Sequence, residues 1–179
     1  MDDLLFRNIK KWKLTIKKGD GLIMEKIRDF EPVVEEMRKG TSEYILPTRG
    51  TSRSAGYDIS SPITVTIEPH SSVLVWTNIK AYMADDEVLE VYIRSSSAIK
   101  KGLMLKNTVG IIDSDYYSNE SNDGNIGLNL RNMTDEAVVI EKGERICQCV
   151  FQKYLIADND VYLSDSRVGG FGSTNVTNE

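Results

Sequence analysis

The segment Ile63-Thr64-Val65-Thr66-Ile67 places an apolar side chain at every second position. Such alternation is typical of a β-strand with one buried face. The turn-forming residues Pro69-His70-Ser71-Ser72 follow, and the apolar run 73–76 comes directly after them. The sequence therefore predicts two strands that are separated by a short turn.

The same pattern continues toward the C-terminus. Further strands are predicted at residues 88–93, 125–131, 137–140 and 146–151. Glu141-Lys142-Gly143-Glu144 separates the last two and predicts a hairpin turn between them. One short helix is predicted at residues 97–101, ending at Gly102. Many short strands at a spacing of roughly 8–12 residues predict an all-β sandwich or barrel.

Length and charge exclude several function classes. The chain has 179 residues, which suits one domain, with 22 Lys and Arg against 27 Asp and Glu, a net charge of −5. An acidic balance argues against a general nucleic-acid binder. The single histidine, His70, rules out a zinc site with two or three histidines in one chain, and it is predicted to be a surface turn residue. A phosphorylated ligand would therefore need local arginines, backbone N–H groups or a metal ion.

Cysteine usage and hydropathy indicate the compartment. Cys147 and Cys149 are spaced to share one face of a strand, which favours two buried free thiols in a reducing cytoplasm. No apolar stretch reaches the length of a membrane span, and no secretory signal is recognised. A cytoplasmic protein with no membrane partner is expected.

The two ends differ in composition from the centre. Residues 1–23 carry five of the chain's lysines within residues 10–18 and precede Met24. We expect this basic extension to lie outside the core, either as an added arm or as sequence upstream of the natural start. A β domain is expected over residues 24–163. Residues 164–179 contain Gly169-Gly170-Phe171-Gly172 and are either a disordered tail or a flexible flap over a ligand.

Five short segments stand apart from the strand pattern, and each is a weak signal when taken alone. They are Ala55-Gly56-Tyr57-Asp58-Ile59, Arg94-Ser95-Ser96, Gly110-Ile111-Ile112-Asp113-Ser114-Asp115-Tyr116, Gly143-Glu144-Arg145-Ile146-Cys147-Gln148 and the Gly/Phe tail. In this order and spacing they resemble the five motifs of the trimeric dUTPase family (deoxyuridine 5′-triphosphate nucleotidohydrolase), in its Gram-positive bacterial or phage form. The resemblance implies a jelly-roll-like β-barrel or sandwich, trimeric, with a flexible C-terminal arm that closes over the substrate.

The resemblance also implies a reaction. Family members hydrolyse dUTP to dUMP and pyrophosphate by water attack on the α-phosphorus, which keeps uracil out of DNA and supplies dUMP for dTMP synthesis. Asp113 matches the carboxylate that activates the water. Mg²⁺ is expected to be held mainly by the substrate phosphates and water, with Asp58 near its water shell.

Substrate contacts follow from the same motifs. Tyr116 matches the tyrosine that packs on deoxyribose and rejects a 2′-hydroxyl, and Asn107 matches the asparagine that binds uracil beside the backbone of a hairpin. Two further positions of that hairpin are Gly110 and Ile112. Phosphate contacts are implied for Arg94, Ser95, Ser96 and Gln148. In the arm, Phe171 and Gly172 match the uracil-stacking site, and Arg167, Ser173 and Thr174 match contacts to the distal phosphates.

In this family three chains build one active site, so the expected partners are dUTP and two further copies of the chain. Residues 118–123 interrupt the usual pattern after Tyr116 and are predicted to form a surface loop. Two alternatives remain open. A dCTP deaminase, or a bifunctional deaminase and dUTPase, shares the Arg-Ser-Ser segment. A regulatory module on the same fold would use the basic extension and the inserted loop to bind a protein partner.

Overall fold

The computed structural model describes residues 13–16 and 22–162. This part of the chain contains fourteen strands and one α-helix, α1 (Ser95–Lys101). The strands are β1 (Lys13–Ile16), β2 (Leu22–Glu25), β3 (Asp29–Pro32), β4 (Thr48–Arg49), β5 (Tyr57–Ser60), β6 (Val65–Ile67), β7 (Ser72–Trp76), β8 (Ile79–Tyr82), β9 (Glu87–Ile93), β10 (Leu103–Leu105), β11 (Gly110–Asp113), β12 (Gly127–Asn132), β13 (Val138–Ile140) and β14 (Arg145–Lys153).

The strands form five sheets, and all neighbouring strands in them run antiparallel. The largest has the order β11-β9-β14-β5-β4, and a second has the order β10-β12-β7. The remaining pairs are β1-β2, β3-β8 and β13-β6. The predicted all-β class with one short helix is confirmed. Over the described residues the sheets do not close into a continuous barrel, and the division of the chain at residue 23 stays a prediction.

One hydrophobic core is built by residues of the four sheets other than β1-β2. The inward positions of β12 are Leu128, Leu130 and Asn132, in strict alternation with half-buried residues. Cys147 and Cys149 of β14 are both fully buried and are free thiols, as predicted. Further members of the core include Ile59, Ile67, Val75, Ile79, Leu89, Val91, Leu103, Leu105, Ile126, Ile140 and Ile146. Burial of this apolar surface is the main force that holds the sheets together.

The helix begins two residues earlier than predicted. Arg94 has an extended backbone and forms the N-cap, and its carbonyl accepts the N–H of Ala98 at 2.9 Å. Gly102 ends the helix in the left-handed region at φ +62°, where its N–H reaches Ala98 O at 3.1 Å. Glycine adopts this conformation at little cost, so the predicted stop is confirmed.

The prediction of a hairpin at residues 141–144 was wrong. The chain does reverse there, with Glu144 N–H donating to Glu141 O at 2.9 Å and Gly143 at φ +83°. The flanking strands do not pair with each other, however, because β13 pairs with β6 and β14 pairs with β5 and β9. The turn therefore passes the chain from one sheet to another.

The prediction of a surface loop at residues 118–123 was also wrong in part. Asn119, Asn122 and Asp123 are buried, and only the other three residues are exposed. Polar side chains are stable in such a place only when they are hydrogen-bonded. His70, in contrast, is an exposed turn residue as predicted. Among the described residues no helix is long and apolar enough to cross a membrane.

Candidate active site

The five-stranded sheet carries four of the five motif segments. Asp58 lies on β5 and Gln148 lies opposite it on β14. Arg94 follows the last residue of β9, and Asp113 is the last residue of β11. The topology of one sheet thus explains why segments far apart in sequence occur in one structural unit.

Asp58, Arg94 and Arg145 form an arginine cluster at one end of this sheet. Arg94 Nε lies 2.9 Å from Asp58 Oδ1, and Arg145 Nη1 donates to Asp58 Oδ2 at 3.0 Å. Arg94 Nη1 also donates to the carbonyl of Arg145 at 3.2 Å. The carboxylate is only 10% exposed, whereas Arg145 is 53% exposed. Two guanidinium groups around one carboxylate leave a net positive charge, which suits an anionic oxygen.

A cavity of about 200 Å³ opens beside the arginine cluster. Its lining residues are Gly50, Ser54, Gly56, Asp58, Arg94, Ser95, Arg145 and Gln148. A Cβ at Gly56 would lie 2.8 Å from Gln148 Oε1, so a larger residue there would displace that side chain. Ser96 is half-buried in the first turn of α1, next to the lining residue Ser95. Three of the residues with predicted phosphate contacts, Arg94, Ser95 and Gln148, thus line one cavity.

Asp113 lies at a second, larger cavity of about 540 Å³. The residue is half-buried and caps a single 3-10 turn at Ser114–Tyr116. Val88, Glu90, Ile111, Asp113, Ser114, Asp115 and Tyr154 line the cavity. A carboxylate at the rim of a cavity of this size is suitably placed to accept a proton from a water molecule.

The two cavities are separated along β9. Asp113 pairs with Val88 near the start of that strand, and Arg94 follows its last residue, Ile93. Because a strand rises by about 3.3 Å per residue, the six positions from residue 88 to residue 94 span about 20 Å. A single chain therefore does not bring Asp113 and the arginine cluster together.

The predicted base-binding residues surround the turn between β10 and β11. Asn107 is exposed, and its carbonyl accepts Val109 N–H at 2.7 Å. Gly110 lies against Val91. A Cβ added to Gly110 would lie 3.2 Å from the Cβ of Val91. The predicted hairpin was wrong, because β10 pairs with β12 whereas β11 pairs with β9. Ile112 is half-buried on β11.

Tyr116 is buried, with a relative exposure of 6%. Its hydroxyl donates to the carbonyl of Asn125 at 2.8 Å and accepts from Asn122 Nδ2 at 2.7 Å. The hydroxyl is thus held within the protein, so only part of the ring is left to contact a ligand. The remaining predicted residues, Arg167, Phe171, Gly172, Ser173 and Thr174, lie outside the described residues.

The structure adds residues that sequence reasoning missed. Gly50 and Ser54 line the cavity beside the arginine cluster, and Glu90 and Tyr154 line the cavity at Asp113. The first two lie close to the Gly56–Asp58 segment in sequence, which was a usable signal. Glu90 and Tyr154 lie within or after regular strands, where no local signal distinguishes them.

The two thiols beside Gln148 do not contribute a nucleophile. Burial raises the pKa of the Cys147 thiol to about 12 and also raises the pKa of Cys149. Since the thiolate is the reactive form, both side chains act as small apolar core residues.

Comparisons with known proteins agree on one family. A model of the dUTPase family matches residues 42–175. A deoxyuridine 5′-triphosphate nucleotidohydrolase of Lactococcus lactis subsp. lactis (strain IL1403) is 50% identical over 150 residues, which cover 83% of this chain and 98% of the relative. The crystal structure of a dUTPase from Streptococcus mutans is 43% identical and has a TM-score of 0.66, covering 73% of this chain and 99% of that one.

A more distant structural neighbour is a mutant dUTPase from phage phi11 of S. aureus. It is 20% identical with a TM-score of 0.61, covering 78% of this chain and 99% of its own, and is described as coordinating a structural Mg(II) ion. At this identity the likeness shows the fold alone.

Proposed function

Because the chain belongs to the dUTPase family and hydrolyses dUTP, we propose that Asp113 orients and deprotonates the attacking water. The water oxygen forms a bond to the α-phosphorus, the bond from that phosphorus to the bridging oxygen breaks, and pyrophosphate leaves. The water proton passes to the Asp113 carboxylate. Phosphoryl chemistry of this kind depends on a positioned nucleophile and on neutralised phosphate charge.

The observation that carries the proposed active site, which is shared between chains, is the separation of Asp113 from the arginine cluster. About 20 Å of β9 lies between them, more than the triphosphate of one nucleotide bridges. We therefore place the phosphate contacts of one chain beside Asp113 of another, in a homotrimer whose three equivalent interfaces close into a ring. The trimer also accounts for a large cavity at Asp113 that its own chain leaves open.

Phosphate binding is assigned to Arg94, Ser95, Ser96 and Gln148. Arg94 places Nε against Asp58 and Nη1 on the carbonyl of Arg145. A guanidinium has five N–H donors, and those not used in these two contacts suit a phosphate oxygen. Arg145 lines the same cavity and is assigned a supporting role, because its guanidinium binds Oδ2 of Asp58.

The residues fit a Mg²⁺ ion that arrives with the substrate. No group of three or more His, Cys, Asp or Glu side chains lies together among the described residues. Both oxygens of Asp58 are already held by arginines, which favours contact through the water shell over direct coordination. When bound, Mg²⁺ supplies charge neutralisation on the triphosphate.

Recognition of the base and the sugar is assigned to a second group of residues. Asn107 offers an amide with a donor and an acceptor for the edge of uracil, and the backbone from Gly110 to Ile112 borders the base. The ring of Tyr116 packs on the deoxyribose. Phe171 and Gly172 of the arm cover the base, and Arg167, Ser173 and Thr174 bind the distal phosphates.

The test is pyrophosphate release from dUTP, dTTP, dCTP and UTP at equal concentrations with Mg²⁺. We expect rapid release from dUTP alone. Asp113→Asn should reduce turnover by about 10²–10⁴-fold while dUTP binding is retained, because the variant loses the proton acceptor and keeps the binding groups. Asp135→Asn, a change at an exposed carboxylate paired with His70, is the matched control.

Two outcomes would overturn the proposal. Near-normal turnover by Asp113→Asn would remove Asp113 from the reaction. Ammonia release from dCTP would support the deaminase activity that shares the Arg-Ser-Ser segment.

A further inference from the structure

The inserted residues 118–123 form a structured clamp beside Tyr116. Asn119, Asn122 and Asp123 have relative exposures of 6%, 4% and 7%. Each is hydrogen-bonded, and the bonds link Tyr116 to the body of the protein. Because its buried polar groups are hydrogen-bonded, the segment is held in one conformation.

The amide of Asn122 lies at the centre of the clamp. Its Oδ1 accepts the N–H of Gly124 at 3.1 Å and the Nδ2 of Asn119 at 2.8 Å. Because two donors fix that oxygen, the amide nitrogen must face the hydroxyl of Tyr116, which it reaches at 2.7 Å. The amide therefore donates to the Tyr116 oxygen and cannot be reversed without breaking two other bonds.

Tyr116 is held at both ends by this arrangement. Its hydroxyl donates to Asn125 O at 2.8 Å, and its backbone carbonyl accepts Asn119 Nδ2 at 2.8 Å. Gly124 allows the close approach, since a Cβ there would lie 2.8 Å from Tyr116 O and φ is +78°. The hydroxyl points into the clamp, so its role is to fix the ring.

A buried ion pair anchors the clamp to β3 and β8. Lys80 Nζ donates to both carboxylate oxygens of Asp123 at 2.8 Å, and the two side chains are 8% and 9% exposed. Asp123 Oδ2 also accepts the N–H of Val34, just beyond β3, at 2.8 Å. The clamp is thereby attached to the neighbouring two-stranded sheet.

We infer that Asn122 is a positioning residue that sets sugar specificity by holding the ring of Tyr116. The inference rests on the proposed function, in which that ring occupies the space of a 2′-hydroxyl. Without the bond from Asn122, the ring is held less firmly and can shift away from the sugar, which leaves room for a ribonucleotide. Hydrolysis of UTP should then increase relative to hydrolysis of dUTP.

The experiment measures kcat/KM for dUTP and for UTP. Asn122→Ala is expected to lower the ratio of kcat/KM for dUTP to kcat/KM for UTP by about tenfold. This is the scale of the one buried hydrogen bond that Tyr116 loses. Tyr116→Phe keeps the ring but removes both this bond and the bond to Asn125 O, so it should lower the ratio at least as much. The double variant should match Tyr116→Phe, because the bond from Asn122 is already lost in that variant. Glu120→Gln, an exposed change in the same segment, should leave the ratio unchanged.

Tyr116→Ala distinguishes failure of this inference from failure of the proposed function. If Tyr116→Ala leaves the ratio at the wild-type value, the ring does not select the sugar and the proposed role of Tyr116 fails. If Tyr116→Ala lowers the ratio but Asn122→Ala does not, Asn122 is not a positioning residue. Should Asn122→Ala fail to fold, Tyr116→Phe tests whether the hydroxyl anchors the ring, and an unchanged ratio in that variant would overturn the inference.

Discussion

Arg94 Nε lies 2.9 Å from Asp58 Oδ1, so a residue of β5 fixes the guanidinium group that follows β9. The side chains are 26% and 10% exposed, which makes this a partly buried pair. Such a pair positions its arginine more firmly than a surface contact does, because little water competes for the two charges. In the proposed phosphate site, the aspartate would act through the arginine it holds.

Replacing Asp58 should weaken substrate binding and stability together. Asp58→Asn keeps the size of the side chain but leaves two guanidinium groups without a counter-charge. We expect KM for dUTP to rise by about tenfold and the free energy of unfolding to fall by about 1–3 kcal/mol. Steady-state kinetics and urea denaturation measure the two effects. Arg145→Met changes the more exposed arginine and should have a smaller effect on KM. An unchanged KM in Asp58→Asn would argue against the arginine cluster as the phosphate site.

Gly56 offers a steric test of Gln148. In Gly56→Ala the new methyl group would lie 2.8 Å from Gln148 Oε1 and must displace that side chain. We expect a rise in KM for dUTP of about fivefold, from the loss of roughly 1 kcal/mol of hydrogen bonding. Gly50→Ala is the matched control in the same cavity, since its nearest neighbour would be Ser54 Oγ at 3.7 Å. Equal KM values for the two variants would exclude a substrate contact by Gln148.

The pair of Arg28 and Glu87 should give the unfolding free energy a defined pH dependence. Arg28 Nε donates to Glu87 Oε2 at 2.8 Å, and this hydrogen bond lowers the pKa of Glu87. The stabilisation is therefore complete above the ordinary glutamate pKa of about 4.3 and is lost as the pH falls through the lower folded pKa.

Urea unfolding of the wild type and of Arg28→Met across this pH range tests the pair. The difference between them should be largest above about pH 5 and should shrink as the pH falls below about 4.3. Lys142→Met, at an exposed pair with Glu43, is the control and should change little. A difference that grows toward acid would contradict the lowered pKa of Glu87.

Hydrophobic periodicity located six of the fourteen strands in the described residues but not their partners. The alternation around β12 predicted which side chains face the core, because side-chain direction depends only on local backbone. The turn at Gly143 predicted a reversal but could not show that β13 pairs with β6. Strand pairing depends on contacts distant in sequence, which a local pattern does not contain.

The inserted segment was misjudged for a similar reason. Its polar composition favoured an exposed loop, yet Asp123 is paired with Lys80, 43 positions away. Only the fold reveals such a partner. The motif segments indicated the chemistry that is proposed for the site. Their arrangement came from the five-stranded sheet, which places Asp113 and Arg94 about 20 Å apart.

The central claim is that one active site uses Asp113 of one chain and Arg94 of another, and mixed trimers test it most directly. Asp113→Asn and Arg94→Ala should each be inactive alone. After the two are unfolded together and refolded in equal amounts, random mixing in a ring of three equivalent interfaces gives about a quarter of the sites both intact residues. We predict that dUTP hydrolysis returns to about a quarter of the wild-type specific activity. Mixed trimers that form but remain inactive would contradict the shared site.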